Sequence, residues 1–177
     1  MITDSETILW KKVTKDHKEA YDQLYRNNVK ALYNYGTKFT QNSALIEDCI
    51  QQLFLNLWNS RKSLKISSFR AYLYISFKNL LIKKIQAHSK SIPIEFSPQL
   101  IAIPSSEDKL IDSETVLYRK SQIELAMEDL SNRQKEAIYL KFYEKLEYEQ
   151  ISEIMSIKVP AVYKLISSAL QRLKKKL

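Results

Sequence analysis

Residues 42–84 read NSALIEDCIQQLFLNLWNSRKSLKISSFRAYLYISFKNLLIKK, and the division of this stretch decides the fold. In its first half Ile46, Ile50, Leu53 and Leu57 recur at steps of four, three and four, the period of a helix with one buried stripe. Asp48, Gln51, Gln52 and Leu55 follow at steps of three, one and three and so share the other face. A carboxylate, two amides and an outward leucine make a face able to dock on another protein. The alternative is a solvated face with one stray apolar residue, which is common on protein surfaces.

The second half changes character. From Arg61 to Lys90 the chain holds Arg61, Lys62, Lys65, Arg70, Lys78, Lys83, Lys84 and Lys90 and no acid, with Phe69, Tyr72, Tyr74 and Phe77 interleaved. Basic side chains neutralise phosphates, and aromatic rings stack on unpaired bases, so the mixture points to single-stranded or melted nucleic acid. Phe69, Leu73, Phe77 and Leu80 also lie at helical spacing and read as core. Tyr72 and Tyr74 point elsewhere on the helix and remain stacking candidates.

Composition narrows the class. With 45% hydrophobic residues over 177 positions the chain can bury a core, so full disorder is excluded. One glycine and four prolines are too few turn formers for a many-stranded sheet, and the reading is all-α. A net charge of +8 favours a polyanionic partner. Cys49 is the sole cysteine, and His17 and His88 stand apart, so neither a disulfide nor a His/Cys metal site is expected, and no cofactor. The start MITDSETILW lacks the basic-then-apolar pattern of an export signal, and no apolar run approaches about 18 residues, so the expected location is cytoplasmic.

Taken in order, Thr3 or Asp4 can cap a first helix with Ile8, Leu9 and Val13 apolar. Residues 18–40 make a longer amphipathic helix through Ala20, Leu24, Ala31, Leu32, Tyr35 and Phe39, with Tyr21, Tyr25 and Tyr33 as surface packing residues. Ser43 can cap the next helix, and 69–86 forms the last helix of this half. Residues 91–106 hold Pro93, Pro98 and Pro104 among serines and read as an extended linker, whose isoleucines would suit a partner's groove. Residues 107–129 turn acidic, with a loose helical period through Val116, Ile123 and Met127. The expected division is therefore two small helical domains, 1–90 and 107–177, joined by the Pro/Ser-containing linker 91–106.

The last 48 residues, 130–177, read as short helices. Ser131 or Asn132 caps the first, 143–146 connects it to a helix at 148–155, and 156–158 makes a tight turn. Pro160 then opens a final helix, where its missing N–H costs little. That helix repeats Val162, Ile166, Ala169 and Leu173 inward and carries six basic residues from Lys158 onward with no acid. Two short helices, a tight turn and a basic second helix form a helix-turn-helix that reads duplex DNA. An ordinary helical hairpin whose basic end complements the helix dipole is the alternative.

The whole arrangement resembles the extracytoplasmic-function group of sigma factors, the small promoter-recognition subunits of bacterial RNA polymerase, in the form common among Bacteroidetes-type sequences. The family's pattern A-x-D, two hydrophobics, Q-x-hydrophobic-F-x-x-L-W is similar to IEDCIQQLFLNLW at Asp48, Gln51, Phe54, Leu57 and Trp58. By that resemblance Asp48, Gln51, Gln52 and Leu55 would engage the clamp coiled coil of the polymerase largest subunit. The pattern F-x-x-Y-L followed by N is similar to Phe69, Tyr72, Leu73 and Asn79, where the family captures the melted minus-ten element. The resemblance implies that Lys62, Lys65, Arg70, Tyr72, Tyr74, Lys78 and Asn79 contact that strand. LSNRQKE resembles the start of the minus-thirty-five domain, whose recognition helix would bring Lys158, Ala161, Lys164, Ser168 and Arg172 to duplex DNA. Implied partners are core polymerase, including the flap of its second largest subunit, promoter DNA both duplex and melted, and an anti-sigma factor, with no small-molecule substrate.

Four positions depart from the family pattern. Ser156 stands where glycine is usual in the turn, Lys158 and Ala161 where small hydroxyl residues are frequent, and Lys83 where an acid is common. Lost hydroxyls remove phosphate bonds from the start of the recognition helix. No glycine-rich phosphate loop, His–nucleophile pair or convergent carboxylate cluster stands in the sequence, so no enzymatic chemistry is expected. A stand-alone helix-turn-helix regulator, with 1–90 dimerising or sensing, and a helical adaptor for acidic proteins are the rival readings.

Overall fold

The computed structural model describes residues 5–88 and 127–176. The chain divides into two compact units, Met1–Ile94 and Glu95–Leu177. The expected cap at Thr3 or Asp4, the linker 91–106, and the Val116 and Ile123 period lie outside the described residues. All described regular structure is helical, as the composition required.

The first unit begins with α1 (Ser5–Val13) and α2 (Lys18–Gly36). The short α1 turns Thr7, Trp10 and Val13 inward, whereas the expected Ile8 is 49% exposed. Thr7 and Trp10 precede Val13 by six and three residues, a stripe that ignores Ile8 because Trp10 offers far more ring area to the core. Trp10 stacks on Phe69 with centroids 5.5 Å apart, and the Phe69 N–H donates to the Thr7 hydroxyl at 3.1 Å. A side chain of α1 thus satisfies a free backbone donor at the start of another helix.

That other helix is α4 (Phe69–His88), reached through α3 (Ser43–Ser60). The cap of α3 is Asn42, whose side chain accepts from the Leu45 N–H at 3.0 Å; the expected cap, Ser43, is the first helical residue. Asn and Ser are about equally good caps, so the choice falls to the preceding turn, where Thr40 accepts from the Asn42 N–H. The inward set of α3 is Ile46, Cys49, Ile50, Leu53, Phe54 and Leu57, and burial raises the Cys49 thiol pKa. In α4, Phe69, Leu73 and Phe77 are fully buried as expected, but Leu81 takes the buried place foreseen for Leu80. The three helices close on Gly36, the single glycine, where a Cβ would stand 2.9 Å from Ile46 Cγ2 and 3.0 Å from Phe77 Cζ.

In the second unit, α5 (Asn132–Ile138) follows the turn at 129–131. Ser131 caps it in a reciprocal capping box with Gln134. α5 runs into a π-helical turn at Tyr139–Tyr143, where the buried Tyr139 hydroxyl donates to the buried Glu144 carboxylate at 2.9 Å. Burial, then that carboxylate, raise the Tyr139 pKa. α6 (Tyr148–Met155) and α7 (Val159–Lys176) follow, joined through Ser156 at φ 53° and ψ 45°. Serine therefore carries the left-handed conformation that glycine adopts more cheaply. Ile151, Ile154 and Met155 of α6 meet Val162, Ile166 and Ala169 of α7.

Gly36→Ala tests the closure of the first unit. A methyl inserted into fixed neighbours costs about 1–3 kcal/mol, and glycine's entropic handicap returns about 0.5–1 kcal/mol of it. We expect a net loss of about 1–2 kcal/mol in denaturant unfolding, with helix content preserved; unchanged or increased stability would contradict the packing described.

Candidate nucleic-acid and polymerase interfaces

On α3 the burial of Ile46, Ile50, Leu53 and Leu57 leaves Asp48, Gln51, Gln52 and Leu55 exposed together. Leu55 is 55% exposed. Gln52 donates to Asn56 at 2.9 Å along the same face. Behind the patch Phe54 is buried and edge-on to Tyr25, while the Tyr21 hydroxyl donates to the Phe54 carbonyl at 2.8 Å. Beside it, Tyr25, Val29, Tyr33, Ile50 and Gln51 line a groove of about 370 Å³ between α2 and α3. The patch is rigidly backed and amphipathic, as a protein-docking face needs to be.

The segment after α3 is tied to the α1–α2 turn. Asp16, at φ 67°, receives Arg61 Nε at 2.7 Å and Nη2 at 2.6 Å, and Lys62 Nζ at 2.8 Å. Lys62, then Arg61, hold the Asp16 carboxyl below its ordinary pKa. Arg61 also donates to the Trp58 carbonyl at 2.6 Å, and its guanidinium lies 4.0 Å from the Trp58 ring centroid. Its donors are thus engaged within the fold, whereas Lys62 remains 67% exposed and Lys65 is exposed.

The sequence candidates on α4 separate. Tyr72, Ser76, Asn79 and Lys83, at steps of four, three and four, form its outward strip; Asn79 and Lys83 are exposed and Tyr72 half-buried. Tyr74 is fully buried and meets Tyr35 edge-on at 5.1 Å. The stacking role expected of Tyr74 is therefore corrected: two residues past Tyr72, its ring is turned by about 200° into the core. Arg70 is also drawn inward, with Nε 3.9 Å from the Glu6 carboxylate and its side chain 27% exposed. Glu6 in turn accepts from Asn28 at 2.8 Å. Lys78 is half-buried, its ammonium 5.9 Å from the Phe39 centroid. Lys83, which was not among the expected contacts, belongs to the same outward strip.

In the second unit Lys158, just before α7, and Ala161 and Lys164, on its first turns, are exposed. Ser168 is not turned outward: its hydroxyl accepts from Gln134 Nε2 at 2.7 Å and donates to the Leu165 carbonyl at 3.1 Å. Its expected DNA contact is corrected accordingly, because α5 lies against that side of α7. Arg172, though exposed, donates to the Asp129 carbonyl at 3.1 Å on the same side. Lys176 also pairs with the Asp129 carboxylate. The strip opposite the core holds Lys164, Ser167 and Gln171, all exposed. Gln171 lies on the outward side that the helical period assigns to it, whereas Ser167, three residues past Lys164, was passed over. Among the described residues no helix is long and apolar enough to cross a membrane.

Comparison with known proteins gives matches in both units. The Sigma-70 region 2 family matches residues 24–91, and the Sigma-70, region 4 family matches residues 120–173. The ECF RNA polymerase sigma factor SigK of Mycobacterium sp. (strain KMS) is 24% identical over 175 residues, covering 98% of this chain and 91% of that protein. The ECF RNA polymerase sigma factor SigM of Bacillus subtilis (strain 168) is 25% identical over 162 residues, covering 86% and 92%. Among solved structures, CnrH in complex with the cytosolic domain of CnrY aligns with a TM-score of 0.64 at 17% identity, over 97% of this chain and 96% of CnrH. The sigma factor RpoE of Bartonella quintana, in complex with the anti-sigma factor NepR, aligns at 0.58 and 21% identity, over 91% and 96%. These structural likenesses establish the fold.

The division of the α4 tyrosines is directly testable. Tyr74→Ala is expected to cost about 3–5 kcal/mol in denaturant unfolding, as for large aromatic truncations in a core, and Tyr72→Ala less than about 1 kcal/mol. Equal costs would contradict the orientation assigned to the two rings.

Proposed function

This chain belongs to the sigma-70 family and is an RNA polymerase sigma factor, and on that premise we propose that it is of the extracytoplasmic-function type. Its finer kinship, on the spelling of the docking helix, is with the form common among Bacteroidetes-type sequences. It binds core polymerase, directs it to specific promoters and helps melt the DNA there. The observation that carries this reading is the order of the two family matches, region 2 before region 4, over residues 24–91 and 120–173. As a transcription initiation factor it works by binding, not by enzymatic turnover, and it acts in the cytoplasm, where the polymerase is.

We assign residues 1–90 to polymerase docking and minus-ten recognition, 91–106 to the linker, and 107–177 to minus-thirty-five recognition. Asp48, Gln51, Gln52 and Leu55 dock on the clamp coiled coil of the largest subunit; their shared exposure on α3 supports the assignment. Lys62, Lys65, Tyr72 and Asn79 take the melted strand, with Lys78 beside them and Arg70 aligning α4 through Glu6. Lys158, Ala161 and Lys164 approach the upstream duplex, and the same domain meets the flap of the second largest subunit. Flipped bases cost a few kcal/mol each to unstack, a cost offset by pocket contacts and by the polymerase's hold on the DNA. The Bartonella quintana RpoE was solved with an anti-sigma factor, and we extend that class of partner to this chain.

The experiment is association with purified core polymerase. Asp48→Ala with Gln51→Ala is expected to weaken binding at least tenfold, since two charged or amide contacts at about 1–2 kcal/mol each are lost, while thermal stability stays unchanged. Unaltered association would remove the docking face from α3.

A further inference from the structure

Three strips run along the exposed part of α7, and only two have a role so far. Ser168 and Arg172 face α5 through Gln134 and the Asp129 carbonyl. Lys164, Ser167 and Gln171 face straight out. The third strip, Tyr163 and Leu170, lies seven residues apart on the α6 side and is 51% and 44% exposed. Tyr163 stacks on Tyr148, the first residue of α6, with centroids 3.9 Å apart and planes 12° apart. The Lys141 ammonium stands 4.5 Å from the Tyr148 ring centroid, held by the Leu146 carbonyl at 3.1 Å and Glu147 at 3.5 Å. Tyr148, Tyr163, Ser167, Leu170, Gln171 and Lys174 line a groove of about 320 Å³.

Tyr21 and Tyr139 each donate to a partner within their unit. Neither Tyr148 nor Tyr163 makes a hydrogen bond through its hydroxyl among the described residues. Two rings are thus fixed by stacking, one from each helix of the helix-turn-helix, with their polar ends unused. A helix with its side chains is about 10–12 Å across and the major groove is about 12 Å wide. A recognition helix seated there therefore presents its outer strip to base edges and its flanks to the bordering phosphates, while the first helix crosses the backbone. The Tyr148–Tyr163 pair sits on that flank, at the junction of the two helices.

We propose that Tyr148 and Tyr163 form a phosphate-contacting clamp that positions the upstream duplex against α7, each phenol donating to a backbone phosphate oxygen. Such neutral donors fix register without reading sequence. They also supply hydroxyls to a recognition helix that has Lys158 and Ala161 at its start. The proposal rests on the reading of 107–177 as the domain that binds the upstream promoter element.

The test uses the full chain bound to core polymerase and a set of promoter-length duplexes that differ only in the upstream element. Tyr148→Phe and Tyr163→Phe keep the stack and remove one oxygen each. Each is expected to weaken duplex binding about threefold and the double variant about tenfold, equally for all duplexes. The dependence of affinity on salt is expected to stay as in wild type, because a lost neutral donor releases no counterion, and core association and melting temperature to stay unchanged. Wild-type affinity in the double variant would reduce the pair to packing and overturn the proposal. A loss confined to particular sequences would make it a base contact, and a loss of core association a protein-docking surface; either result also overturns it. A wild-type complex indifferent to the upstream sequence would refute the domain assignment alone, leaving the effect of the tyrosines on duplex affinity to be read separately.

Discussion

The first unit depends on one constraint: the aromatic side of α4 has to fit against α2 and α3 at Gly36. Phe69, Tyr74 and Phe77 are all fully buried, and the closest approach leaves no room for a methyl at Gly36. Burying rings of this size supplies much of the driving force. It also fixes the rotation of α4, and with it which polar residues face out. The exposed patch of α3 and the outward strip of α4 are thus set by one packing event, so the two surfaces proposed for binding are held on a common frame.

The same constraint explains what could be read in the sequence. Periodicity marked the buried stripes of α3 and α7, because inward residues at steps of four and three define a helix face; all four expected in α3 are buried, and in α7 Val162, Ile166 and Ala169, with Leu173 half-buried near the helix end. It could not decide residues at the edge of a stripe, where one position is a turn of about 100°. Leu80 and Leu81 exchanged places in this way, and Tyr74 proved to be core because Tyr35, 39 residues earlier, waits for it. Ser168 was misjudged for the same reason, since its partner Gln134 lies on another helix. The π-helical turn at Tyr139–Tyr143 had no legible signal, because the backbone bond from the Glu144 N–H to the Tyr139 carbonyl closes it and the side-chain bond that accompanies it joins two residue types common on surfaces.

Charge is used in two ways. Arg61 and Arg70 are committed to Asp16 and Glu6 and serve the architecture, whereas Lys65 and Lys164 are exposed. Arginine's planar fork suits fixed internal pairing, and lysine's mobile ammonium suits a phosphate chain that moves. A count of basic residues therefore overstates the free positive charge of the first unit, since Arg61 and Arg70 are paired within it.

The central claim is that the two units act together only on the polymerase. Titration of the labelled protein with purified core RNA polymerase, before and after adding promoter-length DNA, tests it most directly. The account predicts nanomolar binding to core, and sequence-selective DNA binding that emerges only in the complex. Absence of core binding together with tight dimeric binding to duplex DNA by the protein alone would contradict it.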